Sequence, residues 1–193
     1  SPDLAHAREV AAHLGTDHRE YQLTPDELFG TIPDCVKQIE SYDITTVRAS
    51  APMLALCRRI KADTEVAVIL SGEGSDELFG GYSYFWHCPS PEQMALECSS
   101  KLNSLWAYDC LRANKSMGDF GVETRVPFLD KDFIHVAMDM VDPVHKMSHS
   151  HPDGHRDEKW LLRDTFRQIV HPDIANRTKA QFSDAVGGGW IRA

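Results

Sequence analysis

Val66-Ala67-Val68-Ile69-Leu70 runs without a break into Ser71-Gly72-Glu73-Gly74-Ser75-Asp76-Glu77. The first five residues are apolar without alternation and bounded by polar ones, the pattern of a strand buried on both faces of a parallel sheet. The glycines that follow let backbone approach a ligand closely and take conformations closed to other residues. Ligands of open α/β sheets sit at the carboxyl ends of strands, where this turn falls. Glu73, Asp76 and Glu77 crowd into the same turn. Carboxylates that close repel one another and shift each other's protonation unless a cation is near. Mg²⁺, which takes a few carboxylates together with phosphate oxygens, relieves that repulsion. The competing account is a solvated acidic turn entering a helix, where negative charge is favourable in any case. The pattern is neither a P-loop nor a dinucleotide fingerprint, because the GK[ST] and G-x-G-x-x-G elements are absent.

Upstream of the strand the chain reads as helical. Ser1 can cap a first helix, Pro2 suits its first turn, Leu4, Ala7, Ala11 and Leu14 make one face, and Gly15 ends it. His18 to Leu23 alternates as a short strand does. Thr24-Pro25-Asp26-Glu27 is a capping-box start for a second helix with Leu28, Ile32, Val36 and Ile39 on one side. After a turn at Ser41-Tyr42-Asp43, a further helix is expected to run through Met53 to Lys61 with Pro52 in its first turn, since proline breaks a helix interior. Downstream, helices dominate. Ser90-Pro91-Glu92-Gln93 starts one that should continue past Leu102 and Trp106 towards Arg112. Asp130 can cap another through Phe133 to Met140, and a third should run from about Arg156 to Val170, before His171-Pro172. Asp142 to Gly154 reads as an exposed loop, and Gly187-Gly188-Gly189 as mobile. The order of elements points to an α/β layer with a helical extension. An α/β part to about residue 88 and a helical part from about 89 to 193 follow.

A net charge of −9 over 193 residues argues against a dedicated nucleic-acid binder, which shows a basic face. It leaves room for a nucleotide, whose phosphates backbone N–H groups, a few basic residues and Mg²⁺ hold locally. No apolar run reaches the roughly 18 residues of a membrane span. The five cysteines, Cys35, Cys57, Cys88, Cys98 and Cys110, form no C-x-x-C pair. They read as buried apolar residues in a reducing, cytoplasmic setting, and not as a disulfide framework or zinc ribbon. The four tryptophans, Trp86, Trp106, Trp160 and Trp190, read as core or domain contacts. His145, His149, His151 and His155 lack the spacing and scaffold of a tetrahedral metal site.

The stretch Ser71-Gly72-Glu73-Gly74-Ser75-Asp76-Glu77-Leu78-Phe79-Gly80-Gly81-Tyr82 resembles the second nucleotide-site motif of the class B, glutamine-dependent asparagine synthetases. Four further blocks resemble the same family in the same order: residues 41–50, where Thr46 and Arg48 fall, 108–115, 122–130 and 179–184. The resemblance implies a parallel α/β sheet flanked by helices, of the adenine nucleotide α-hydrolase-like, PP-loop ATPase type. It implies adenylation of aspartate by ATP to β-aspartyl-AMP and pyrophosphate, then displacement of AMP by ammonia. Ser71, Gly72 and Gly74 match the nucleotide-contacting loop. Glu73 matches a catalytic glutamate, Asp76 a Mg²⁺-binding aspartate, and Lys179 a lysine near the phosphates. Thr46 and Arg48 lie in the aspartate-binding segment. Arg112, Asp109, Arg125 and Glu123 read as a structural ion-pair network or as lining of the domain boundary.

Two elements of that family are missing from the chain: a glutaminase domain with its N-terminal cysteine, and a Ser-Gly-Gly-x-Asp-Ser pyrophosphate loop. The expected partners are aspartate, ATP, ammonia and a glutaminase domain of the same polypeptide, with neither nucleic acid nor membrane. A homodimer stays open. The 193-residue chain alone is expected to lack synthetase activity and to carry an exposed sheet edge. Two rival readings are a related amide- or lactam-forming synthetase and a non-catalytic nucleotide-binding relative.

Overall fold

The computed structural model describes residues 2–147, 157–170 and 175–176. In chain order the elements are α1 (Pro2–Leu14), α2 (Pro25–Ile39), α3 (Ile44–Asp63), β1 (Val68–Leu70), α4 (Ser75–Phe79), α5 (Pro91–Ser104), α6 (Asp109–Gly118), β2 (Glu123–Arg125), α7 (Lys131–His135) and α8 (Trp160–Phe166). They form two units interleaved along the chain. Among the described residues the first takes 2–71 and 106–125, and the second 72–105 and 126 onward.

In the first unit, α2 begins on the expected capping box. The Thr24 hydroxyl accepts from Glu27 N–H at 3.2 Å, and Glu27 Oε2 accepts from Thr24 N–H at 2.8 Å. Leu28, Cys35 and Ile39 then pack against Ala51, Leu54 and Ala55 of α3. Helix α3 starts well before the expected first turn around Pro52, because Asp43 caps it: Asp43 Oδ2 accepts from Thr46 N–H at 2.7 Å. Pro52 therefore lies inside the helix, not in its first turn. The lost backbone bond is tolerated because Ala51, Met53 and Leu54 around it are all buried. Met53 and Cys57 form a second core with Ala113 and Met117 of α6, Val122 and Ile69.

Strands β1 and β2 pair in parallel, Val68 with Glu123, Ile69 with Thr124 and Leu70 with Arg125. The expected burial on both faces does not hold within this sheet. Ile69 faces the helices, whereas Val68 is 39% and Leu70 is 70% exposed. A strand is buried only where a layer covers it, and α3 and α6 supply that layer on one side. The expected strand at His18–Leu23 is also absent: this stretch takes no regular secondary structure. Its Glu20 is instead held by the Arg8 guanidinium in two bonds of 2.6 and 2.7 Å.

In the second unit, Leu78, Phe79 and Ala137 form one core with Phe128, Ile134 and Leu161, and Phe85, Met94 and Cys98 another with Met138 and Met147. Ser90 caps α5 as expected, accepting from Gln93 N–H at 3.3 Å. The helix does not continue to Arg112. It ends at Ser104, whose hydroxyl turns back onto Lys101 O at 2.9 Å, and a 3-10 turn precedes α6. Asp130 caps α7 through Asp132 and Phe133 N–H, but the last expected turn, Val136–Met140, is a π turn. Helix α8 is shorter than the expected span, and Arg156 lies outside the described residues. The expected loop begins with a 3-10 turn, Pro143–Lys146, in which Lys146 is only 2% exposed. Residues 148–154 and 187–189 lie outside the description.

Cys35, Cys57 and Cys98 are buried, Cys88 and Cys110 half-buried, and no disulfide joins any of them. Trp106 lies outside the core at 74% exposed, which leaves a domain contact as its expected role. The Trp160 ring lies 5.2 Å from the Arg167 guanidinium, and Trp190 is outside the described residues. No helix among the described residues is long and apolar enough to cross a membrane.

Candidate active site

Strand β1 hands the chain directly to the acidic turn. Ser71 N–H makes the next rung beyond the strand, donating to Arg125 O at 2.8 Å. Gly72 O then accepts from Ser75 N–H at 3.3 Å, folding the turn back into α4. Gly74 sits at φ +91°, and a Cβ there would lie 2.7 Å from Leu129 Cγ. Glycine is thus required at residue 74 by backbone and packing together. Gly72 differs: a Cβ on it meets nothing within 4 Å. The space beside that residue is open to a ligand.

Asp76 points its carboxylate at a lysine that the sequence pattern does not single out. Lys159 Nζ lies 3.1 Å from Asp76 Oδ1 and donates to Ser75 Oγ at 3.0 Å. The two charged side chains are 21% and 23% exposed, half-buried but within reach of solvent. Gly81 makes their approach feasible: any Cβ there would collide with Asp76 Oδ1 and stand 2.6 Å from Lys159 Cε. Glu77 is buried and accepts a hydrogen bond from the Tyr82 hydroxyl. Glu73 is half-buried between the two glycines of the turn.

Thr46 and Arg48 stand in the first turns of α3. Thr46 is buried, and its hydroxyl donates to Asp43 Oδ2 at 2.7 Å. That bond, with the Thr46 N–H, holds the Asp43 carboxyl below the usual carboxylate range. Arg48 is half-buried. Helix α3 runs back into β1 through a four-residue connection, 64–67, with Met53 and Cys57 packed on Ile69. Its first turns and Ser71 therefore lie at the same end of the first unit, the carboxyl end of the strand. Gly72, Glu73, Gly74 and Asp76 belong to the second unit. Lys179 lies outside the described residues. Of the residues expected to form an ion-pair network or line the domain boundary, Arg112 pairs with Asp109 at 2.6 Å and Arg125 with Glu123 at 2.7 Å.

A carboxylate and an ammonium side by side, next to an open glycine, can receive a divalent cation and a phosphate chain together. No group of three or more His, Cys, Asp or Glu side chains placed to hold a metal occurs among the described residues. The donors present fit a Mg²⁺ that keeps waters and phosphate oxygens and takes one protein carboxylate, Asp76. Lys159 was missed because its only local mark is a basic residue at a helix start, where the helix dipole disfavours it.

Sheet and turn define a mixed α/β protein with a small parallel sheet, which carries polar groups just beyond a strand's carboxyl end. The asparagine synthase family model matches residues 1–100 and 86–193. The chain is 47% identical over 197 residues to a probable glutamine-hydrolysing asparagine synthetase of Dictyostelium discoideum, covering 99% of the chain and 35% of that relative. It is 49% identical over 195 residues to a glutamine-hydrolysing asparagine synthetase of Sandersonia aurantiaca, covering 99% of the chain and 36% of the relative. The match to glutamine-hydrolysing asparagine synthetase 3 of Arabidopsis thaliana is also 49% over 195 residues, with 99% and 33% covered. The chain belongs to the asparagine synthase family, and it spans about a third of the length of these relatives.

Proposed function

We propose that the chain is the synthetase part of a glutamine-hydrolysing asparagine synthetase, a cytoplasmic ATP-dependent carbon–nitrogen ligase. Its sheet is read as the adenine nucleotide α-hydrolase, PP-loop ATPase type. A carboxylate oxygen of aspartate attacks the α-phosphorus of ATP, and pyrophosphate leaves. The nitrogen of ammonia then attacks the acyl carbon of β-aspartyl-AMP, AMP leaves with the bonding pair, and the nitrogen loses a proton. The ammonia comes from glutamine hydrolysed in a glutaminase domain of the same polypeptide.

Adenylation brings two anions together, so the site must neutralise charge. Mg²⁺, when bound, supplies Lewis-acid polarisation of the phosphates. Asp76 would hold it, and Lys159, released from Asp76, would face the phosphate oxygens, with Lys179 as a further cation. Ser71, Gly72 and Gly74 let the backbone follow the nucleotide. Arg48 and Thr46 bind aspartate, the guanidinium suiting a carboxylate in two parallel bonds. Glu73 orients aspartate or takes the proton of the attacking ammonia.

The observation that carries this reading is the Asp76–Lys159 pair beside the open Gly72, in a chain with 47–49% identity to named synthetases. The test is ATP–pyrophosphate exchange by the full-length gene product, with aspartate compared against other amino and carboxylic acids. Aspartate-dependent exchange is expected. Exchange with another acid and not aspartate, or none at all, overturns it.

A further inference from the structure

Glu77 is a buried acid that the proposed chemistry leaves idle. It is 4% exposed, and its carboxylate accepts from the Tyr82 hydroxyl. Burying a carboxylate is costly unless it is bonded in this way. The bond closes the segment that ends α4. Within it, Gly80 turns left-handed at φ +65°, and Gly81 N–H donates to Asp76 O at 2.8 Å. Gly81 is thereby laid against the Asp76 carboxylate and within 2.6 Å, from a notional Cβ, of Lys159 Cε. Tyr82 has its own support. Its ring stacks on Tyr84 at 5.9 Å and on the buried Phe85 at 6.3 Å, so the aromatic stack sets where its hydroxyl stands.

We propose that Tyr82 and Glu77 are positioning residues for the metal and phosphate end of the site. Their bond holds the Gly81 backbone as a wall that confines the Asp76 carboxylate and the Lys159 ammonium to one arrangement. This rests on the reading of Asp76 as the Mg²⁺ carboxylate. Neither Tyr82 nor Glu77 touches a reacting atom. Without the Tyr82 hydroxyl the wall moves, Asp76 samples other orientations, and more Mg²⁺ is needed to fill the site. Aspartate, bound by other groups, is unaffected.

The experiment measures the Mg²⁺ concentration for half-maximal ATP–pyrophosphate exchange, the KM for aspartate and the melting temperature in the full-length gene product. Tyr82→Phe is expected to raise the Mg²⁺ requirement about tenfold, the scale of one charge-assisted hydrogen bond, with KM for aspartate within about twofold. Glu77→Gln, whose amide oxygen still accepts from Tyr82, is expected to stay closer to the parent than Glu77→Ala. Asp76→Asn is expected to shift the requirement most. An unchanged Mg²⁺ requirement in Tyr82→Phe beside a shifted Asp76→Asn overturns the positioning role alone. An unshifted Asp76→Asn overturns the underlying assignment of Asp76. If Tyr82→Phe does not fold, the Glu77 pair decides: equal Mg²⁺ requirements in Glu77→Gln and Glu77→Ala overturn the proposal.

Discussion

Lys159 holds its ammonium 3.1 Å from Asp76 Oδ1 while its own backbone stands at φ +54°, in the left-handed region that lysine seldom adopts. That conformation costs on the order of 1 kcal/mol and persists where surrounding packing over-determines it. Here it directs the side chain from the start of α8 back to the acidic turn. The half-buried pair offsets the charge of Asp76 within the acidic turn.

Lys159→Met removes the cation and keeps much of the apolar stem. Aspartate-dependent ATP–pyrophosphate exchange in the full-length gene product is expected to fall by about 100-fold or more, the scale of losing one charge-stabilising donor. Exchange within about twofold of the parent would remove Lys159 from the chemistry.

The glycines of the turn differ in what a side chain there would meet. Gly72→Ala adds a methyl that meets nothing within 4 Å, so chemical denaturation should show a change within about 0.5 kcal/mol. Its KM for ATP should nevertheless rise, because the methyl fills the space beside the loop. Gly74→Ala, at φ +91° and against Leu129, should instead destabilise by about 1–3 kcal/mol. A Gly72→Ala protein with normal ATP kinetics would place the nucleotide elsewhere.

Asp43 couples the start of α3 to pH. Its folded-state pKa is depressed, first by the Thr46 hydroxyl and then by the Thr46 N–H. The stabilisation is therefore present above the ordinary aspartate pKa and lost as pH falls through the depressed value. Asp43→Ala should cost about 1 kcal/mol at pH 7, as a lost helix cap does. The difference between the two proteins in urea titrations should shrink as the solution is acidified. A constant difference down to acid unfolding would argue against the cap.

Lys146 is a buried amine whose Nζ lies 3.4 Å from Met138 Sδ. Burial pulls its pKa below 10.5, against smaller upward pulls from Cys98 and Asp139. The unfolded chain holds that proton more tightly, so folding is penalised below the folded-state pKa and the penalty fades as pH rises towards 10.5. Lys146→Met should stabilise the protein at pH 7 by about 1 kcal/mol or more. That gain should diminish in alkaline urea titrations, and a destabilised Lys146→Met at pH 7 would contradict it.

Much of the local structure was legible in residue order. The caps at Thr24, Ser90 and Asp130 formed where their side chains stand beside the N–H groups they accept from. The apolar run before the acidic glycine turn became a parallel strand. The caps join residues within about four positions, so residue type and spacing carry them, whereas the strand's partner lies 55 positions on and is chosen by the fold. Helix boundaries were less legible. Pro52 fell inside α3 because buried neighbours on both sides outweighed a missing backbone bond, and α5 stopped at Ser104 where the hydroxyl turned back on the helix.

The partner of the acidic turn was decided by the tertiary fold alone. Lys159 reaches Ser75 across 84 positions, and no spacing rule links residues so far apart. Their meeting depends on how Leu161 and Leu162 pack with Leu78 and Phe79 in one core. Burial is summed over many side chains, so the chain can announce an acidic turn locally but only its packing selects the lysine that answers it.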